Sequence, residues 1–201
     1  MRVLCKSMIW LTLMACLIPC VYPSTREYEI KAGFIYNFFR FVQWPKSSNG
    51  WTLGILGSDP FEGGLREFES RPLGGKAIVI KSVTNAKDAK SCDAVYIGPS
   101  ESGRLDSTLA ALRGTPVLSI SDIPEFADKG GAIALTTESN RIRFVVNLDT
   151  LKQGELKANS KMLQLASRTI TADTNRDEIW AAVTFPGRDE DVAAFRALLS
   201  H

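Results

Sequence analysis

Few side chains in this sequence are equipped for catalysis. The only histidine is the terminal residue, His201, so Ser-His-Asp and Cys-His nucleophile systems and multi-histidine metal sites have almost nothing to be built from. Cys92 stands beside Asp93, but no histidine or other base lies near it to take the thiol proton. A free cysteine opening an apolar strand reads as a small buried hydrophobe. Gly74-Gly75-Lys76-Ala77 partly matches the end of a phosphate-binding loop. Position 70 is Ser where that motif needs Gly, Ala77 has no hydroxyl for magnesium, and a strand follows where a helix should, so the segment reads as a turn. Ile97-Gly98-Pro99-Ser100 has no aspartate to serve as a phosphoacceptor at the end of a third strand. The expectation is a chain with no catalytic residues, no metal and no cofactor.

Residues suited to binding are easier to find. Gly57 and Ser58, together with Pro99, fall at the carboxyl ends of expected strands, where open α/β sheets hold ligands, and they form a candidate ligand crevice. Arg141 and Arg143 alternate with Ile142 and Phe144, so they share one face of a strand and can receive an anion or an acidic partner. Phe34, Phe38, Phe41 and Trp44 make an aromatic stripe with more apolar surface than one core-facing side needs, which marks them as partner-binding candidates. A second copy packed on that helix is the commoner solution, hence the expectation of a homodimer.

The elements that carry these residues alternate. Ile30, Phe34, Ile35, Phe38, Phe41 and Val42 recur at helical spacing, and Trp44-Pro45 ends that helix. Trp51 to Leu56 is a strand; Asp59 and Pro60 open a helix through about Glu69; Ala77 to Val83 is a second strand; Asn85 caps a short helix to Lys90. Ala94 to Ile97 is a buried strand, Ser100 caps a helix to Arg113, and Pro116 to Ile120 is another strand. Ala132 to Thr136 and Ile142 to Leu148 flank the polar turn Glu138-Ser139-Asn140 and form a hairpin. Asp149 begins a helical turn that Gly154 breaks, and Ser160 caps a helix with an apolar stripe. The fold class expected is α/β, three-layered, a mostly parallel sheet with an antiparallel edge hairpin and helices on both faces.

Composition agrees with a folded domain. The 201 residues are 45% hydrophobic and 23% charged, and 24 Lys and Arg against 22 Asp and Glu leave +2, too little for sequence-blind phosphate binding; no nucleic-acid partner is expected. Arg2 and Lys6 precede an apolar run from Met8 to Ile18, shorter than the roughly 20 residues that span a bilayer, so residues 1–24 read as a secretory signal peptide and the mature chain as periplasmic. Leu13-Met14-Ala15-Cys16 is an imperfect lipoprotein box. Cys5, Cys16 and Cys20 all lie in this segment, which leaves Cys92 alone afterwards. Residues 25–170 form the α/β domain. In residues 171–201, Asp173 to Asp177 reads as a linker and Asp189 to Leu199 as an amphipathic helix with Val192, Phe195 and Leu198 inward.

The ordered segments KAGFIYNFFRFVQWP from Lys31 to Pro45, CDAVYIG from Cys92 to Gly98, VLSIS from Val117 to Ser121, IRFVVNL from Ile142 to Leu148 and SKMLQLA from Ser160 to Ala166 resemble the YfiR family of exported bacterial proteins. The resemblance runs from Glu27 to about Ile170. It implies a non-catalytic periplasmic regulator that docks on the periplasmic sensor domain of an inner-membrane diguanylate cyclase and represses cyclic-di-GMP synthesis. It also implies an outer-membrane lipoprotein able to sequester the regulator. A periplasmic small-molecule-binding, solute-sensing protein using the strand-end crevice is the alternative. In the family a cysteine in the first strand often pairs with the one at Cys92. Gly54 stands there in this chain, so that disulfide is lost.

Overall fold

The computed structural model describes residues 25–45, 49–172, Ala193 and 196–198. The expected signal peptide, the 173–177 linker and the inward Val192 and Phe195 lie outside the described residues.

The chain begins with helix α1 (Thr25–Phe41), whose apolar residues at spacings of three and four face the sheet. A short strand β1 (Val42–Gln43) leads to β2 (Trp51–Leu56). A 3-10 segment Gly64–Ser70, β3 (Ile78–Val83), α2 (Ala86–Ala89) and β4 (Ala94–Ile97) follow. Next come a 3-10 turn Pro99–Arg104, α3 (Leu105–Leu112), β5 (Leu118–Ser121), β6 (Ile133–Glu138) and β7 (Arg141–Asn147). The last elements are α4 (Leu148–Gln153), β8 (Lys157–Ala158), α5 (Ser160–Leu165) and β9 (Arg168–Ile170).

Seven strands form one sheet in the order β3-β2-β4-β5-β6-β7-β9, and β1 pairs with β8 in a separate two-stranded ribbon. Pairing is parallel from β3 to β6, antiparallel between β6 and β7, and parallel again between β7 and β9. The mixed α/β sheet is as expected. Ser139 and Asn140, with φ of 50° and 61°, make the two-residue turn that a hairpin with right-handed twist needs. One strand lies beyond the hairpin: β9 pairs Arg168 with Val145 and Thr169 with Val146, moving β7 one place in from the edge.

The sheet has two unlike cores. On one face α1, α4 and α5 pack Phe34, Phe38, Leu151 and Met162 against Leu53, Tyr96, Ile120, Phe144 and Val146. On the other, α2 and α3 pack Ala89, Leu105, Leu109 and Leu112 against Leu56, Val95, Ile97 and Val145.

Four helix starts differ from expectation, each for a local reason. Asp59 does accept from the Phe61 and Gly63 backbone N–H groups at 2.9 and 3.3 Å, but left-handed Gly63 interrupts the turn and the helix resumes as 3-10. Ser100 is drawn away from capping because its hydroxyl accepts from the Ser58 N–H at 2.9 Å; Gly98 takes the cap position and Pro99 opens a 3-10 turn that becomes α3 at Leu105. Asn147, two residues ahead of Asp149, and Asn159, one ahead of Ser160, cap α4 and α5 through their side-chain oxygens.

Candidate functional site

Lys31 falls on the sheet-facing side of α1, in register with Phe34, Ile35 and Phe38, and is only 3% exposed. A buried ammonium demands partners. Its Nζ lies 2.6 Å from Asp122 Oδ2 and 2.7 Å from Glu27 Oε1, and 4.5 Å above the Tyr28 ring. Asp122 follows β5 at the carboxyl edge of the sheet. Tyr28 donates to its Oδ2 at 3.1 Å and Tyr96, from β4, to its Oδ1 at 2.6 Å. Phe61 packs edge-on against both tyrosines, and Thr137 on β6 donates to Glu27. Burial, and then the Asp122 carboxylate beside them, push both tyrosine hydroxyls well above their ordinary range. The cluster ties α1 to three strands. In the sequence Lys31 is a polar residue within an otherwise apolar helical pattern. Asp122 was missed, although a lysine on that face was itself a signal that a carboxylate had to be found.

The chain reverses direction across the sheet between β2 and β4, the place where open α/β sheets hold ligands. The expected crevice at Gly57, Ser58 and Pro99 is filled by the chain itself. Gly57 has φ +88°, and a Cβ there would collide with the Ser100 hydroxyl and the Glu101 side chain; a Cβ on Gly98 would lie 2.7 Å from the Ser58 carbonyl oxygen. Open space lies to one side, in a cavity of about 190 Å³ lined by Leu56, Thr84, Asn85, Glu101, Arg104 and Thr108, among others. Glu101, 5% exposed, accepts from the largely exposed Arg104 at 2.8 Å.

The aromatic stripe sits in the core. Phe34 and Phe38 are 0% exposed, Phe41 4% and Trp44 8%; Phe34 and Phe38 pack on Phe144, while Trp44 stacks on Phe39 and donates its indole N–H to the Asp93 carbonyl at 2.9 Å. These rings fix the helix and present little surface of their own. The seven-stranded sheet buries these rings against Leu53, Tyr96, Ile120 and Phe144, more aromatic volume than one amphipathic face was expected to bury. Arg141 is exposed and Arg143 half-exposed on the hairpin, opposite Glu138 and Thr136, on the sheet face that carries α3.

The opposite side of α1 is built differently. Gly33 is half-buried, and a Cβ there would lie 3.2 Å from Leu198 Cδ2. One turn on, Asn37 is 6% exposed; its amide donates to the Gly33 carbonyl at 2.8 Å, while its Oδ1 meets no donor. Under the second sheet face Cys92 is buried, its thiol pushed upward mainly by desolvation, and its Sγ is 2.8 Å from where a Cβ on Gly54 would stand. Asp93 accepts from Thr52 N–H at 2.7 Å and is raised, also chiefly by burial. Among the described residues no three His, Cys, Asp or Glu side chains converge as a metal site would require.

Comparison with known proteins gives a family and a fold. The sequence matches the YfiR/HmsC-like family over residues 28–167. A crystal structure of a conserved domain protein from Vibrio cholerae aligns with a TM-score of 0.51 at 11% identity, covering 71% of this chain and 60% of that one. The ABC domain in complex with L-Trp from Streptococcus pneumonia aligns with a TM-score of 0.49 at 10% identity, over 71% and 60%. The chain therefore spans about 60% of each, and the likeness to the first is one of fold.

Proposed function

Since the chain belongs to the YfiR/HmsC-like family, a family of periplasmic regulators, we propose that it docks on the periplasmic sensor domain of an inner-membrane diguanylate cyclase and lowers cyclic-di-GMP synthesis. The observation that carries this reading is the extent of the match: residues 28–167 include α1 after its first turn, the sheet up to β7 and the α4–α5 region, leaving out only the edge strand β9. The local chemistry fits a docking protein better than an enzyme. The buried polar groups are held by one another, Lys31 by Asp122 and Glu101 by Arg104, and the exposed Arg141, with half-exposed Arg143 two residues on, offers positive charge to an acidic surface. An outer-membrane lipoprotein that sequesters the regulator belongs to the same proposal.

The test is cross-linking in intact cells followed by purification from membranes, with cyclic-di-GMP measured in parallel. A cyclase sensor domain should be recovered with the protein, and deletion of the protein should raise cyclic-di-GMP. Recovery of no membrane sensor, together with unchanged cyclic-di-GMP, would overturn the reading.

The cavity beside Glu101 favours a second reading, a small-molecule binder. A ligand present at 100 times its Kd would add about 2.7 kcal/mol of stability. A metabolite panel that leaves the melting temperature unchanged would remove that alternative.

A further inference from the structure

The cavity beside Glu101 is lined by polar groups of which some are spent and some are not. Glu101, on the 3-10 turn ahead of α3, is 5% exposed, and its Oε1 accepts from Arg104 Nη2 at 2.8 Å. No second donor reaches the carboxylate among the described residues, which leaves Oε2 unserved. Thr108, four residues after Arg104 on α3, is 6% exposed and lines the same cavity. A helical threonine commonly returns its hydroxyl to a carbonyl one turn back; this one makes no such bond and has no other partner among the described residues. Thr84 and Asn85 also line the cavity, but they are engaged with each other and with Asp88 at 2.8 to 3.2 Å. The groups left over are a carboxylate oxygen that can only accept, guanidinium N–H groups that can only donate, and a hydroxyl that can do either. Two of the three side chains are more than nine-tenths buried, where unserved polar groups are costly, so the cavity suits a polar occupant.

We propose that this cavity binds a monosaccharide-sized, uncharged polyol through adjacent hydroxyls, one donating to Glu101 Oε2, the next accepting from Arg104, and a third meeting Thr108. Size and charge select that class. A cavity of about 150 Å³ takes benzene, so about 190 Å³ holds one six-membered ring with its substituents, and it falls below the roughly 300–1,000 Å³ of sites for drug-sized ligands, which excludes a nucleotide. Glu101 and Arg104 cancel each other's charge, so an anion meets Glu101 and a cation meets Arg104, each at a cost; a hydroxyl donates and accepts at once and suits both. Leu56, buried at the end of β2, gives the wall an apolar patch for the C–H face of the ring. The proposal rests on the small-molecule reading above and names its ligand class and the side chains that select it.

The test is calorimetric titration of the full chain with D-glucose, D-galactose, D-mannose and myo-inositol, beside cyclohexanol, a ring of like size with a single hydroxyl, and with acetate and glycine as charged probes. At least one of the four polyols should bind, and cyclohexanol, acetate and glycine should not. Glu101→Gln keeps the shape of the side chain against Gly57 and leaves only the exposed Arg104 without its partner; it should weaken that polyol by about tenfold, as loss of a hydrogen bond to a charged group does. Thr108→Val, which exchanges a hydroxyl for a methyl of the same shape, should weaken it by about fivefold. Melting curves that match wild type show that each variant is folded, and the Thr108 variant decides if the Glu101 variant is not. Polyol binding that both variants leave unchanged would lie elsewhere on the molecule and overturn the proposal. Binding of acetate or glycine with no polyol bound would overturn the ligand class and leave the small-molecule reading standing. No binding by any probe would overturn the proposal, and that reading falls with it only if the wider metabolite panel also leaves the melting temperature unchanged.

Discussion

The two sides of α1 handle buried polar groups in opposite ways. Toward the sheet, Lys31 has two carboxylates and a tyrosine ring, and both oxygens of Asp122 are used. Away from it, Asn37 is equally buried with one atom unpaired and a borrowed leucine beside it. Both helix faces are covered, so burial alone does not tell which is structural. Completeness of pairing does. A satisfied network resists change because removing any member strands the rest, whereas an incomplete one can improve only by changing its neighbour.

Asp122→Ala should break the contrast most severely. It leaves Lys31 with only the more exposed Glu27 and should cost about 3–5 kcal/mol in urea denaturation, as unpaired buried charges do. A loss under about 1 kcal/mol would mean that the inner network is not an anchor. The next largest effect lies under the other sheet face, at Cys92. Gly54→Cys places a second sulfur against Cys92, and closing that loop of about 40 residues should add about 4 kcal/mol under oxidising conditions, reversed by reductant. Absence of the bond by mass spectrometry would show that the strands hold these positions apart.

The inner network also predicts an alkaline weakness. Tyr28 and Tyr96 stay protonated in the fold well above their ordinary value near 10, while the unfolded chain releases both protons. Above pH 10 the native state therefore binds more protons than the unfolded one, and stability falls as pH rises, by up to about 2.7 kcal/mol per pH unit for the two groups. Tyr28→Phe or Tyr96→Phe should each halve that slope. An unchanged slope would place the alkaline loss elsewhere.

Asn37→Leu sharpens the comparison from the other side. Removing an unpaired buried amide should stabilise the chain by about 1 kcal/mol, the reverse of any polar-to-apolar change in the inner network. A destabilised variant would mean that the outer face is ordinary core. Smallest of all, Arg141→Glu with Arg143→Glu should move stability by only about 0.5 kcal/mol each while weakening association with an acidic partner several-fold. Unchanged association would return both arginines to solvent.

Elements with strong local signals were legible in the sequence. Trp51–Leu56 and Ala94–Ile97 form strands at the expected residues, and the hairpin turn falls at Ser139 and Asn140. What escaped was set by distant residues. Ser100 caps no helix because Ser58, 42 positions away, claims its hydroxyl. The three residues of β9 carry no periodicity of their own and become a strand only because β7 offers them an edge. Gly57, Ser58 and Pro99 do lie at strand ends, but the sequence marks where strands end and not whether their loops close over the gap, as they do here. Gly33 and Asn37 are a small and a polar position on an otherwise apolar helix, with no local signal of their own. Their meaning comes from Leu198, over 160 residues later.

Glu69 has a consequence of another kind. Its Oε1 accepts the Ile80 backbone N–H at 3.0 Å, taking up a donor that outermost strand β3 would otherwise hold out to solvent next to the exposed Val79. At the far end, β9 is three residues long and its Arg168 is gripped by both oxygens of Asp128. Neither border of the sheet invites a stranger's strand, and this guards against the stacking of copies into fibres. Were the chain to act by binding another protein one to one, as proposed, every molecule lost to polymer would be a molecule withdrawn from that balance.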